Sequence, residues 1–180
     1  NTHAGHTTLN AGPLILAKPP GTAAIAGGTI TVGNGAGTDI LRLGASHQIG
    51  NSTNLTLAGG SFQLNNFSET LAALKLDASS TIDFGSTASA LVFADSSAQS
   101  WTGTLTIANY TTASGNSLRF GTTASGLTSG QLAQISFTGY GAGVTIDGSG
   151  YVSPIPEPGT YAVLAGLAAL ALAARRRRRS

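Results

Sequence analysis

Apolar residues recur along most of the chain in i, i+2 pairs set among Thr, Ser, Gly and Asn. The pairs are Leu14/Leu16, Ile30/Val32, Leu41/Leu43, Leu55/Leu57, Phe62/Leu64, Leu74/Leu76, Ile82/Phe84 and Leu91/Phe93. They continue with Leu105/Ile107, Leu118/Phe120, Ile135/Phe137 and Val144/Ile146. A period of two places the paired side chains on one face of a strand. The average step from pair to pair is about twelve residues, so the pattern predicts many short strands separated by turns and an all-β body.

Two architectures satisfy that pattern. A sandwich or barrel draws on hairpin dipeptides and bulky aromatics, whereas this chain has one Trp, four Tyr and six Phe. Very short strands, Thr-rich outer faces and Gly-rich corners suit stacked coils in which each covers the next. The parallel β-helix is therefore preferred, with the sandwich left open. One stretch departs from the alternation. Thr128 and Gln131 have the spacing of a helix capping box, which predicts a short helix near 129–135 that interrupts the sheet and caps the solenoid.

The last segment follows a different pattern. After Pro154-Ile155-Pro156-Glu157-Pro158-Gly159-Thr160 come 14 uncharged residues, Tyr161 to Ala174, then Arg175 to Arg179 and Ser180. A helix over 160–174 is predicted, with the apolar run about 21 Å long against a hydrocarbon core of about 30 Å. Snorkelling arginine stems extend its reach, and its alanine-rich composition makes insertion marginal, as suits a temporary anchor. Arg175, Arg176, Arg177, Arg178 and Arg179 should stay on the cytoplasmic side, leaving the body outside the inner membrane. A buried core helix is the plainer reading of such a run, but core helices do not usually end in five terminal arginines. The organisation expected is a body over 1–153 and a tail over 154–180.

Charge sharpens this division. Arg175 to Arg179 supply five of the nine basic residues, and the remainder of the body is faintly acidic. A nucleic-acid binder needs Lys and Arg on its folded surface, so nucleic acid is excluded as a partner. Cysteine is absent, which removes disulfides, thiolate metal sites and Cys nucleophiles from consideration. The opening residues lack the basic and apolar blocks of an export signal, and the chain is expected to be a fragment or processed form with that signal upstream.

Two resemblances follow from these segments. Asn1-Thr2-His3-Ala4-Gly5-His6-Thr7-Thr8-Leu9-Asn10-Ala11-Gly12-Pro13-Leu14 and Gly59-Gly60-Ser61-Phe62-Gln63-Leu64-Asn65-Asn66-Phe67-Ser68-Glu69-Thr70 resemble autotransporter-associated β-strand repeats, with His3 and His6 where Tyr and Gly are usual. That resemblance implies a right-handed β-helix. Pro156-Glu157-Pro158, the near-spanning apolar run and the arginine cluster together resemble a PEP-CTERM sorting signal. This implies processing by exosortase, a membrane-embedded transpeptidase-like enzyme, in a Gram-negative envelope that often makes extracellular polysaccharide.

Candidate chemistry is sparse. His3, His6 and His47 are the histidines, and no carboxylate near His3 and His6 in sequence suggests a metal site. No G-x-S-x-G elbow occurs between a strand and a helix. A polysaccharide-cleaving β-helix would need clustered carboxylates, for which Asp77, Asp83 and Asp95 are the nearest candidates, and Asp83 should point outward between Ile82 and Phe84. Asn34-Gly35-Ala36-Gly37-Thr38-Asp39-Ile40-Leu41-Arg42 resembles a calcium-binding nonapeptide, but one copy cannot build the shared cage. No catalytic, cofactor or metal residue is assigned. The expected function is that of a structural or adhesive surface protein, with a β-helix enzyme whose catalytic coils lie upstream, or a permanently anchored inner-membrane protein, as alternatives.

Overall fold

The structure, a computed structural model, describes residues 3–155. In chain order its strands begin with β1 (Thr7–Leu9), β2 (Gly12–Leu16), β3 (Thr29–Val32), β4 (Asp39–Leu43) and β5 (Asn54–Ala58). They continue with β6 (Ser61–Gln63), β7 (Glu69–Leu71), β8 (Leu74–Ala78), β9 (Ser80–Asp83) and β10 (Ala90–Phe93). The remainder are β11 (Leu105–Ala108), β12 (Ser117–Phe120), helix α1 (Ser129–Ala133), β13 (Ile135–Phe137), β14 (Val144–Ile146) and β15 (Tyr151–Pro154).

Three sheets result, with strand orders β1-β3-β5-β8, β2-β4-β6-β9-β11-β13 and β7-β10-β12-β15-β14. Consecutive strands do not pair over most of the chain; each joins its counterpart one coil on, in parallel, to give a β-solenoid of about 5 turns. Single parallel bridges from His3 to Ile25 and from Ile25 to Ile49 continue the third sheet's column across the first coils. Equivalent residues lie 24 positions apart at Ile25 and Ile49, 22 at Glu69 and Leu91, and 27 at Leu91 and Leu118. Each apolar pair therefore marks about half a coil.

Register turns the alternating pattern into a core. Leu14, Leu41, Phe62, Ile82, Ile107 and Phe137 stack in one column of the second sheet. Leu9, Val32, Leu57 and Leu76 stack in the first sheet, while Leu71, Phe93 and Phe120 stack in the third. Within the third column the rings of Phe93 and Phe120 lie 5.1 Å apart and nearly parallel. Each fully buried side chain of this kind stabilises the fold by about 1.5–3 kcal/mol.

Solenoid corners leave backbone donors that no strand can satisfy, and side chains of adjacent coils accept them. The Gln48 side chain accepts from Lys18 N–H at 2.7 Å, and Asn116 Oδ1 from Ser89 N–H at 2.9 Å. Ser96 Oγ accepts from Leu74 N–H at 3.0 Å, and Ser80 Oγ from Gly59 N–H at 2.9 Å. In the other direction Ser68 Oγ receives Ala90 N–H and Asn54 Oδ1 receives Ala73 N–H. Asn66, itself at φ 70°, accepts from both Ser86 and Thr87 N–H. These contacts explain why Ser and Asn crowd the turns.

The C-terminal end is closed differently. Helix α1 forms where the capping box was expected, with Gln131 N–H donating to Thr128 Oγ1 at 3.2 Å and Thr128 N–H to Gln131 Oε1 at 2.7 Å. The helix ends at Ala133 rather than 135, because Ile135 begins β13. Its buried Gln131 side chain donates to the Ser96 and Gln99 carbonyls, tying the cap onto the preceding coil. Strand β15 then pairs antiparallel with both β12 and β14, ending the parallel ladder.

Candidate functional site

The chain leaves the solenoid through the β14–β15 hairpin. Val144 pairs with Pro154, and Ile155 N–H donates to the Gly143 carbonyl at 3.0 Å. Pro156 follows Ile155 directly in the sequence. Pro156, Glu157, Pro158, the predicted helix over 160–174 and Arg175 to Arg179 lie outside the described residues. Among the described residues, no helix is long and apolar enough to cross a membrane.

Residues 154–179 match the family model of the PEP-CTERM protein-sorting motif. The tail is a PEP-CTERM sorting motif. It marks the chain as an exported protein that is anchored at a membrane and processed by exosortase in a Gram-negative cell. No curated protein and no solved structure matches the chain. The motif begins at Pro154, so the PEP-CTERM segment overlaps the solenoid by the two residues that still pair in the hairpin.

The body's outer surface offers a second candidate. On the second sheet Arg42, Gln63 and Asp83 occupy one outward column, in register across three coils. Arg42 Nε donates to Gln63 Oε1 at 2.7 Å, and Asn109 Nδ2 donates to Asp83 Oδ1 at 2.8 Å. With Asn65 and Gly85 they line a groove of about 260 Å³. Guanidinium, amide and carboxylate groups thus bring donors and acceptors together along the groove.

The carboxylates considered for catalysis are occupied locally. Asp77 Oδ1 pairs with Lys75 Nζ at 2.7 Å on an exposed strand face. Asp83 lies on the outer face, as expected, and accepts from Gly85 N–H at 2.9 Å as well as from Asn109. Asp95 accepts from the Ser97 hydroxyl and backbone N–H, which hold its carboxyl below the ordinary value. His3 Nε2 lies 3.3 Å from the His6 carbonyl, so these two histidines contact each other through a backbone oxygen. Among the described residues no group of three or more His, Cys, Asp or Glu could hold a metal ion.

Two buried acidic residues remain, of which Asp39 entered the sequence reading only within the nonapeptide and Glu69 only within a repeat-like segment. Glu69 is fully buried in β7, and its carboxylate receives backbone N–H groups of Gln48 at 2.7 Å, Ile49 at 3.1 Å and Thr70 at 3.1 Å. Burial pushes its pKa up to about 7, against the opposing pull of those three donors. Asp39 is 2 % exposed, and neither of its carboxylate oxygens has a hydrogen-bond partner. For Glu69 the only signal was its i, i+2 relation to Leu71; for Asp39 it was the nonapeptide.

Proposed function

We propose that the chain is a non-catalytic structural or adhesive protein of the bacterial surface. In this reading its tail parks it in the inner membrane with the body outside, and exosortase then releases it to the cell surface or extracellular matrix. The body is read as a right-handed solenoid of autotransporter-associated repeats, the hand that parallel crossover connections favour. Its Arg42–Gln63–Asp83 face is read as the contact for extracellular polysaccharide. The observation that carries the proposal is the PEP-CTERM motif beginning at the sealed end of the solenoid. A stacked body with a polar face and locally engaged carboxylates supports scaffolding over catalysis.

The test follows the full chain, given an export leader, in a Gram-negative host that has exosortase. Intact-mass analysis of surface material should show a C-terminus lacking Arg175 to Arg179. Triple replacement of Pro156, Glu157 and Pro158 by alanine should hold the protein in the inner-membrane fraction. Surface material that retains the arginines would overturn the sorting reading, and depolymerisation of an added polysaccharide would overturn the non-catalytic one.

A further inference from the structure

The C-terminal end of the solenoid carries almost no charge. Helix α1 packs against β13 and β14, the terminal strands of the second and third sheets. Together they form an open groove of about 330 Å³ whose lining includes Leu132, Ala133, Ile135, Val144 and Ile155. Gly143 admits the Ile155 side chain, since an added Cβ there would lie 3.1 Å from Ile155 Cδ1. Among the described residues the exposed large apolar or aromatic side chains are Ile15 in the first coil and Tyr140, Tyr151 and Ile155 in the last. Asp147 is the single charged residue between positions 121 and 155, and the Ser149 and Tyr151 N–H groups both donate to its carboxylate.

We infer, on the reading that the tail anchors the body outside the inner membrane, that this end face rests on the lipid surface, with Ile155, Tyr140 and the groove among the headgroups. Five residues, 156–160, join Ile155 to the uncharged run that starts at Tyr161, and five residues span at most about 18 Å. The headgroup layer is itself about 5–8 Å deep on each side of the hydrocarbon, so so short a tether keeps the groove close to lipid. Aliphatic surface is stabilised by burial there, and a tyrosine suits the interface because its ring is apolar and its hydroxyl polar. The face has no Lys or Arg to attract anionic headgroups, so the contact depends on apolar area and needs no particular lipid charge. Seated in this way, the coils stack away from the membrane. Pro156-Glu157-Pro158 is then held at headgroup depth, within reach of a membrane-embedded processing enzyme.

The experiment places the full chain in phosphatidylcholine vesicles and reads lipid contact by fluorescence quenching. Cysteine is absent, so a fluorophore can be attached at one introduced cysteine at a time. Ala133→Cys reports on the groove, Ala11→Cys on the first coil and Ala168→Cys on the tail. With a nitroxide carried near the lipid headgroup, the Ala133 label should be strongly quenched and the Ala11 label should keep its full emission. With a nitroxide deep in the acyl chain, the Ala168 label should be quenched. Ile155→Asn should remove most of the Ala133 quenching and leave that of Ala168 unchanged; Ile155 is already 46 % exposed, so its replacement opens no core cavity. An unquenched Ala133 label beside a quenched Ala168 label overturns the inference and leaves the anchor standing. Ala133 quenching that survives Ile155→Asn, as tethering alone would give, overturns it too, as does quenching that appears only when phosphatidylglycerol is added. If the Ala168 label escapes quenching, the anchoring reading fails and the lipid contact falls with it.

Discussion

Replacing Glu69 by glutamine isolates a buried carboxyl whose ionisation is opposed by desolvation. In the native corner the carboxyl titrates near 7 instead of the ordinary 4.5, with burial as the chief cause. The folded state thus holds a proton more tightly than the unfolded chain does. The stabilisation is complete below pH 4.5 and is lost as pH rises through 7. At 1.36 kcal/mol per pKa unit the loss is on the order of 3 kcal/mol, a large share of a domain's total stability. The glutamine side chain has no charge to desolvate. Its amide oxygen can keep the Gln48 and Ile49 donors, while its NH₂ faces Thr70 N–H and forfeits about 1 kcal/mol there. Urea unfolding followed by Trp101 fluorescence suits the assay, since the indole N–H is bound to the Leu74 carbonyl within the fold. Stability of the wild type minus that of Glu69→Gln should fall by roughly 3 kcal/mol between pH 4.5 and 8. A difference that stays constant across that range would refute the reasoning.

Two further substitutions test the cap and a corner. Thr128→Ala removes the capping box of α1 and should cost about 1 kcal/mol, with Thr128→Ser restoring most of it in the same urea titration. Gly33→Ala should cost more than about 2 kcal/mol, because Gly33 has φ 101° and an added Cβ would sit 2.5 Å from the Ala58 carbonyl oxygen; a urea midpoint equal to the wild type's would contradict that geometry.

Much of this architecture was legible because the interior is built from a repeating choice of side chain. All twelve apolar pairs fall within strands or at their ends, and Thr128 with Gln131 placed the cap. The strands that escaped notice are those in which one inward position is not aliphatic. In β7 that position holds Glu69, and in β1 it holds Thr7. Strand β15 escaped because Val152 has no apolar partner two residues away on its side except Pro154. The division into three sheets was also hidden. Coils differ in length, and the third column crosses Ile25 and Ile49 as single bridges that leave no pairwise trace.

The side chains that answer backbone donors across the corners bind each coil to both of its neighbours. Gln48 serves the coil before it, and Asn54 and Ser68 serve the coil after. Peeling away one layer would therefore strand amides on the next, which shifts the balance from independent repeats towards all-or-none melting. The same interlock limits how such a body can evolve. Loops between columns can lengthen freely, but a layer can be inserted or deleted only together with the serine, asparagine or glutamine that its neighbours depend on.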